Sequence, residues 1–259
     1  MKPPTSESVT PMSKLAERIR KATHPEPAHL GFAAPAARQK SASLLVVARL
    51  SAGDAGKAAD AVKKGADAVI VDGLEAGKAK DVAGKADGAA LGARLAKANR
   101  SDVAGLRDAG VDFVVVDPGS AMAEVLLEEK VGFVFEQGGD VEDTGLRLLG
   151  EMGLDAIVIP APVEPLTVRD LLGLRRLASL TRTPLLAGVR PEAEAGFLQA
   201  LRDSGVVGVI VDGSGLGKLD GLKSRIEALP VRGRRKEEHA EATLPAKAAS
   251  GEDDDEDDD

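Results

Sequence analysis

The clearest structural signal in the chain lies in residues 92–124, which read GARLAKANRSDVAGLRDAGVDFVVVDPGSAMAE. The stretch joins the end of one apolar run to a segment with helical periodicity (99–109), a glycine at position 110 and a second apolar run (111–119). Gly110 stands where a residue that follows a helix adopts the left-handed backbone conformation. The apolar runs are continuous rather than alternating, which is typical of parallel strands buried on both faces. The stretch therefore predicts a helix between two parallel strands.

The same unit recurs eight times within residues 43–230. The predicted strands are 44–50, 67–73, 88–95, 111–119, 131–139, 154–162, 184–191 and 206–215, and the predicted helices lie near 54–64, 75–85, 99–109, 120–129, 141–152, 167–180, 192–204 and 216–228. Strands that alternate with helices form right-handed βαβ units. Eight such units without a reversal predict a single (β/α)8 TIM barrel, and an open doubly wound sheet is the alternative topology.

Two flanking segments differ from the barrel pattern. Residues 1–42 form an N-terminal arm that we expect to be disordered apart from one short helix over 13–22, which is capped by Ser13 and covers the bottom of the barrel. Residues 231–259 form a tail, also expected to be disordered, that is first basic and then acidic. The net charge of −8 equals that of the last eight residues, which are all Asp or Glu. The tail is a solubility segment, a docking segment for a basic partner, or a cover over its own basic cluster.

The composition argues against several classes of function. The lack of Cys removes disulfides, thiolate nucleophiles and Cys-ligated metal sites. Aromatic residues make up only 2%, and no basic cluster is interleaved with them, so we expect no nucleic-acid partner. No apolar stretch approaches the about 18 residues of a membrane span, and no signal peptide is recognisable, which predicts a cytoplasmic protein without membrane contact. The sequence leaves open whether the chain forms a homo-oligomer.

Charged residues stand at the predicted carboxyl ends of the strands, the face that carries the active site in (β/α)8 barrels. They are Arg49, Asp72, Arg94, Asp117, Glu136, Arg190 and Asp212. Charges are rarely buried unless they are paired or bound to metal. One interpretation is therefore a ring of Arg–carboxylate pairs that closes the top of the barrel. The other is a site in which arginines bind a small anionic substrate and carboxylates hold a divalent cation.

The missing residue types narrow the chemistry of such a site. All three histidines lie outside the predicted barrel and no Lys occupies a strand end, so His-based catalysis and a Schiff-base aldolase are poorly supported. Asp and Glu remain as acid–base groups, with Arg as an electrostatic clamp. The hard oxygen ligands suit Mg²⁺ or Mn²⁺ as cofactor. The catalytic candidates are Arg94, Glu136, Asp72 and Asp117, and the substrate-binding candidates are Arg49, Arg190 and Asp212.

A second candidate site lies in the loops after the last two predicted strands. Glycine-rich backbone that opens a helix binds phosphate through free N–H groups, and barrels often bind phosphate between these two loops. The phosphate-binding candidates are Gly188, Gly213, Ser214 and Gly215. The alternative is that these glycines serve only the tight turns.

Three segments carry a likeness to a known family. They are GADAVIVDGLEAGK (65–78), the stretch 92–124 and FVFEQGGDVEDTGLRLLGEMGLDAIVIPAP (133–162). They resemble the metal-dependent 2-keto-acid aldolases and the citrate and malyl-CoA lyase-like barrels. The resemblance implies that Arg94 stabilises an enolate and that Glu136 is the first metal ligand. It also implies an Asp after the sixth strand as second ligand, where this sequence has Pro160 and, slightly later, Glu164.

Three functions stand as expectations. The first is a carbon–carbon lyase-like enzyme, in which Mg²⁺ or Mn²⁺ on Glu136 and Glu164 polarises a small anionic keto acid. The second is a barrel that binds a phosphate ligand, either a sugar phosphate or a flavin. The third is a non-catalytic barrel that serves as a scaffold, with the tail as its interaction segment.

Overall fold

Eight parallel strands form a closed barrel in the computed structural model, which describes residues 12–23 and 44–230. Each strand pairs with the next one in sequence, and β8 closes the barrel against β1. The strands are β1 Leu45–Ser51, β2 Ala68–Asp72, β3 Ala90–Leu95, β4 Phe113–Val116, β5 Gly132–Glu136, β6 Ala156–Ile159, β7 Leu185–Gly188 and β8 Val206–Asp212. The predicted (β/α)8 barrel is confirmed, and the open doubly wound sheet is wrong.

One helix precedes the barrel, and most strands are followed by another. The helices are α1 Lys14–Thr23, α2 Ala58–Lys63, α3 Ala76–Lys85, α4 Arg100–Asp108, α5 Asp143–Gly150, α6 Val168–Thr181, α7 Ala195–Asp203 and α8 Leu219–Glu227. Short 3₁₀ helices cover Ala52–Lys57, Ala123–Leu127 and Gly213–Lys218. The expected disorder of residues 1–11, 24–42 and 231–259 lies outside the described residues.

The fourth unit lacks the α-helix predicted near 120–129 and has the 3₁₀ helix Ala123–Leu127 instead. The residues after β4 first extend over the top of the neighbouring unit, where the Ser120 hydroxyl donates to the Ala96 carbonyl at 2.8 Å and the Met122 N–H donates to the Ala98 carbonyl at 2.9 Å. Few residues are then left to return to the start of β5, so a full α-helix does not fit.

The core has two layers, one inside the barrel and one between the strands and the helices. Both layers are almost wholly aliphatic, as the composition predicts. The exceptions are phenylalanines: Phe135 and Phe197 are buried in the outer layer, and the fully buried ring of Phe113 fills the barrel interior. The neighbouring Gly92 makes room for that ring, since a Cβ at position 92 would collide with it. Tight interiors of this kind tolerate little change in volume.

Helix α1 confirms the predicted N-terminal helix. Ser13 caps it, because its Oγ accepts a hydrogen bond from the Ala16 N–H at 3.1 Å. Leu15 and Ile19 lie one turn apart on one face, and both are buried in the cluster that fills the barrel interior. The helix therefore closes the amino-terminal end of the barrel, here called the lower mouth.

Polar contacts hold α1 to three aspartates, each of which directly precedes a strand. Lys14 lies 3.4 Å from Asp112, Arg18 lies 3.8 Å from Asp67, and the cap serine donates a hydrogen bond to Asp155. Two of these aspartates also accept hydrogen bonds from strand N–H groups, so they fix the neighbouring strands as well. None of the helices in the described parts of the chain combines the length and the apolarity needed to cross a bilayer.

Candidate functional site

Four charged side chains meet at the carboxyl-terminal end of the barrel, here called the upper mouth. Arg94 binds Glu136 in a bidentate manner, with Nε 2.7 Å from Oε1 and Nη2 2.6 Å from Oε2. Arg49 donates from Nε to both oxygens of Asp72 at 3.0 and 3.1 Å, and its Nη1 lies 3.9 Å from Glu136. Alternate strands thus supply two arginines that share one glutamate. The four side chains form a neutral cluster of the kind that the ion-pair interpretation predicts.

Arg94 is the arginine in this cluster whose charged form the neighbouring carboxylates favour. The hydrogen bond from Arg94 to Glu136 raises the pKa of Arg94, and the charges of Glu136, Asp72 and Asp117 act in the same direction, while burial opposes them. Arg94 Nη1 and Arg49 Nη2 have no acceptor among the described residues. Each arginine therefore keeps an N–H group for a ligand. Arg94 is held by its bidentate pair with Glu136, and Arg49 by a bifurcated hydrogen bond from Nε to Asp72.

A cavity of about 810 Å³ opens at the upper mouth above this cluster. That volume falls within the range of small-molecule sites. Its lining includes three arginines, Arg49, Arg94 and Arg190, and four carboxylates, Asp117, Glu136, Glu164 and Asp212. Its apolar part comes mainly from the β6–α6 loop and from Val158, Val189, Phe197 and Ile210. Of the predicted catalytic and substrate-binding residues, only Asp72 lies outside this lining.

Three acceptors beside the cavity have spare capacity. The Oε1 atom of Gln137 is buried and has no donor among the described residues, while its Nε2 donates to the Gly139 carbonyl at 3.3 Å. The carboxylate of Asp117 accepts, among the described residues, only the Gly119 N–H, at 3.0 Å. The exposed carboxylate of Asp212 has no hydrogen-bond or ion-pair partner in the described part of the chain. Gln137 was not among the predicted site residues. The only feature of the sequence that pointed to it was its position directly after Glu136.

Glu164 connects the loops that follow β6 and β7. Its Oε2 accepts from Arg190 Nη2 at 2.9 Å, and its Oε1 accepts from the Glu194 N–H, at the start of α7, at 3.1 Å. The Glu194 N–H and then Arg190 hold the pKa of Glu164 below its ordinary value, since both favour the carboxylate. The Arg190 side chain remains 75% exposed, so most of its donors face the solvent and the cavity.

The predicted metal ligands bind different arginines. Glu136 pairs with Arg94 and Arg49, whereas Glu164 pairs with Arg190. Residues 12–23 and 44–230 contain no group of three or more His, Asp or Glu side chains arranged to hold a metal ion. Binding of Mg²⁺ or Mn²⁺ by Glu136 and Glu164 stays a prediction.

The phosphate-binding candidates divide into two groups. Gly188 lines the cavity, beside Arg190 and Asp212. Gly213, Ser214 and Gly215 lie in the 3₁₀ helix after β8 and are not part of the cavity lining. The close packing of the chain explains the two glycines of that helix, because a Cβ on Gly215 would meet Val211 and Pro191 and one on Gly213 would meet Leu50 and the Arg49 carbonyl.

Comparisons with known proteins give a fold and no family. No family model and no curated protein matches the chain. A mutant tryptophan synthase alpha-subunit from Pyrococcus furiosus has a TM-score of 0.56 and 16% identity over 71% of this chain and 97% of its own. KGPDC from Streptococcus mutans has a TM-score of 0.57 and 13% identity over 72% of this chain and 98% of its own. At this identity the likeness shows the (β/α)8 barrel alone.

The resemblance to metal-dependent 2-keto-acid aldolases and citrate or malyl-CoA lyases is wrong. The structural neighbours are barrels of the tryptophan synthase alpha and KGPDC types instead. The three quoted segments match because they carry the apolar strands and glycine-ended helices that any (β/α)8 barrel needs. In addition, the position where that family has an acidic ligand is taken by Pro160, which lines the cavity without a charge.

Proposed function

We propose that the upper mouth binds a small phosphorylated polyol, such as a sugar phosphate. The observation that carries this proposal is the set of unused hydrogen-bonding groups around one cavity. Arg49 and Arg94 keep N–H donors, whereas Gln137, Asp117 and Asp212 keep acceptors. A hydroxyl group both donates and accepts, so a ligand with several hydroxyls pairs with both kinds of group.

The charge of the lining favours such a ligand over a simple anion. Three arginines stand against four carboxylates, and most of them are already paired with each other. Charge alone therefore does not draw an anion to the cavity, and binding depends on directed hydrogen bonds. The buried Oε1 of Gln137 strengthens the case, because an unsatisfied buried acceptor is costly until a donor reaches it.

The phosphate group is assigned to the side of the cavity formed by the β7 and β8 loops. Arg190 offers free guanidinium donors there, next to the Gly188–Val189 backbone. In (β/α)8 barrels the loops after strands seven and eight frequently bind phosphate. A flavin fits less well than a sugar phosphate, because Phe197 is the one aromatic side chain in the cavity lining.

Calorimetric titration tests this proposal with ribose 5-phosphate, ribose and inorganic phosphate as probes. We expect ribose 5-phosphate to bind more tightly than either part alone, because each part meets its own set of groups. Arg190→Gln should weaken binding of ribose 5-phosphate about tenfold through loss of a charge-assisted contact, while ribose affinity stays the same. Arg175→Gln is the matched control, since Arg175 is exposed on α6 outside the cavity. If none of the three probes gives a heat of binding, the proposal is wrong.

A further inference from the structure

One carboxylate of the upper mouth is bound by groups that suit an anionic ligand. Glu164, in the loop between β6 and α6, accepts from Arg190 Nη2 at 2.9 Å through Oε2 and from the Glu194 N–H at 3.1 Å through Oε1. Two donors thus bind the two oxygens of one anion. Guanidinium groups and the N–H groups at helix starts bind carboxylates and phosphates in the same way. Glu164 therefore occupies a place that has the donors a phosphate group needs.

The first turn of α7 has further N–H donors that are unused. The Glu194 side chain does not cap the helix. The N–H groups of Ala195 and Gly196 have no acceptor among the described residues. Gly196 has open space where a Cβ would stand, so the backbone there is accessible to an approaching group. Phe197, in the same turn, lines the cavity, which places this helix end next to the ligand site.

A phosphate monoester is a stronger partner for these donors than a carboxylate. It carries a charge of about −1.5 to −2 at neutral pH and three acceptor oxygens. The bonds to Glu164 do not use up the donors, because the Arg190 side chain is 75% exposed and keeps further N–H groups. The Glu194 N–H and Arg190 lower the pKa of Glu164, so its carboxylate is charged at neutral pH. An incoming phosphate therefore meets an anion that repels it and that holds two of its donors.

Residues 161–165 of the β6–α6 loop depend on Glu164 for their polar contacts. No other hydrogen bond or ion pair joins this segment to the rest of the described chain. Pro162 and Pro165 lack an N–H group, and the Val163 side chain is 79% exposed. Most of the segment lines the cavity, and Glu164 ties it to the β7–α7 loop. Loss of the two bonds to Glu164 would therefore free the segment at the entrance of the cavity.

We propose that Glu164 is an internal substitute for the phosphate group of the ligand. In the free protein its carboxylate occupies an anion site formed by Arg190 and the first turn of α7. A phosphate monoester takes its place there, and the exchange releases residues 161–165. This role of Glu164 rests on the proposed binding of a sugar phosphate at the upper mouth. It adds the position of the phosphate group and a competitor for that position within the chain.

Calorimetric titration of the full chain with inorganic phosphate and ribose 5-phosphate tests the competition. Glu164→Gln should bind both probes about tenfold more tightly than wild type, because the phosphate no longer has to displace a charged carboxylate. The affinity for ribose should stay the same. Glu192→Gln is the matched control, since Glu192 is an exposed carboxylate of the same β7–α7 loop that binds Lys218 and does not line the cavity. Its substitution should change the affinities by less than about twofold, because exposed charges are screened by salt.

The fluorescence of a single tryptophan tests the release of the loop. The chain contains no Trp or Tyr, so Val163→Trp introduces one fluorophore at an exposed position of the segment. We expect its anisotropy to fall when inorganic phosphate is added. In the double variant Val163→Trp/Glu164→Gln the anisotropy should be low without phosphate and should not fall further. Circular dichroism melting shows that each variant is folded.

Two results would overturn this role of Glu164 and leave the proposed function intact. One is ribose 5-phosphate binding to Glu164→Gln that is equal to or weaker than binding to wild type, because Glu164 would then position Arg190 instead of competing with the ligand. The other is a phosphate-free anisotropy that Glu164→Gln does not change, because the carboxylate would then not hold the loop. If no probe binds wild type or Glu164→Gln, the proposed function is wrong, and the anion site is wrong with it.

Discussion

Glu136 is the residue on which the charge balance of the upper mouth depends, because Arg94 and Arg49 both use it as acceptor. Glu136→Gln removes that charge and leaves the two guanidinium groups to attract a phosphorylated ligand. We expect ribose 5-phosphate to bind about tenfold more tightly to this variant, since loss of one nearby negative charge changes the interaction by about 1–2 kcal/mol. The variant should also be less stable by about 1–3 kcal/mol, because this partly buried ion pair loses one partner.

Calorimetry measures the binding of ribose 5-phosphate to Glu136→Gln and to Arg94→Gln. We expect weaker binding to Arg94→Gln than to wild type. Equal or weaker binding of ribose 5-phosphate to Glu136→Gln would contradict the role assigned to the cluster. Titration of both wild type and Glu136→Gln with Mn²⁺ tests the metal prediction separately. Only a Mn²⁺ signal that disappears with the carboxylate would support a metal at Glu136.

Asp155 makes stability depend on pH in an unusual direction. Burial raises the pKa of Asp155, and the hydrogen bond from Ser13 only partly offsets that effect. A raised pKa in the folded state contributes stability that is present below the unfolded value of 3.8 and is lost as pH rises through the folded pKa. Asp155→Asn mimics the neutral form. It should therefore unfold at higher urea concentration than wild type at pH 7, and the difference should vanish near pH 3.

Asp170 provides the control with the opposite sign. Hydrogen bonds from the Thr167 side chain and backbone lower the pKa of Asp170, so its contribution is present at neutral pH and lost as the solution becomes strongly acidic. Asp170→Asn should be less stable than wild type at pH 7. If Asp155→Asn is also less stable than wild type at pH 7, burial does not destabilise the ionised carboxylate of Asp155.

At the scale of the element, α1 is a short helix held by two buried side chains. Leu15 is fully buried inside the lower mouth, and an isolated ten-residue helix has little stability of its own. Leu15→Ala should lower the free energy of unfolding by about 2–5 kcal/mol in guanidinium denaturation, because it leaves a cavity in the barrel interior. Lys21→Ala, at an exposed position of the same helix, should change it by less than about 0.5 kcal/mol. If Leu15→Ala and Lys21→Ala change the free energy of unfolding equally, α1 does not close the barrel.

The elements were predictable wherever local signals marked their ends. Gly110, which the sequence marks as the residue after a helix, follows α4 and has a φ of 95°. Gly65, Gly153 and Gly205 have positive φ after α2, α5 and α7 in the same way. The helix near 120–129 was mispredicted because its residues have helical periodicity, while the path of the loop over Ala96 and Ala98 depends on contacts with the preceding unit. Helical periodicity shows where the apolar side chains stand in the sequence. It does not show how many residues the connecting loop needs.

At the scale of the whole molecule, topology alone predicted which charges gather at the upper mouth. A closed parallel barrel places all the strand ends on one face, so Arg49, Arg94, Glu136 and Asp212 had to lie there. Which charge pairs with which was not predictable, since Arg94 reaches past β4 to Glu136 on β5. Phosphate binding by Gly213, Ser214 and Gly215 stays a prediction. The close neighbours of Gly213 and Gly215 that come from β1 and the β7–α7 loop were not predictable from the sequence either.

The two ends of the barrel have different roles in this account. Helix α1 closes the lower mouth, whereas the upper mouth opens into the cavity. A ligand therefore has to reach the charged cluster from above, past Arg190 and the β6–α6 loop. The most direct test is to map backbone amide shifts by NMR as ribose 5-phosphate is added up to about 10 mM, above the usual range for small metabolites. The account predicts shifts that cluster at Gln137, Gly188 and Val189, and shifts that are absent there or confined to other surfaces would contradict it.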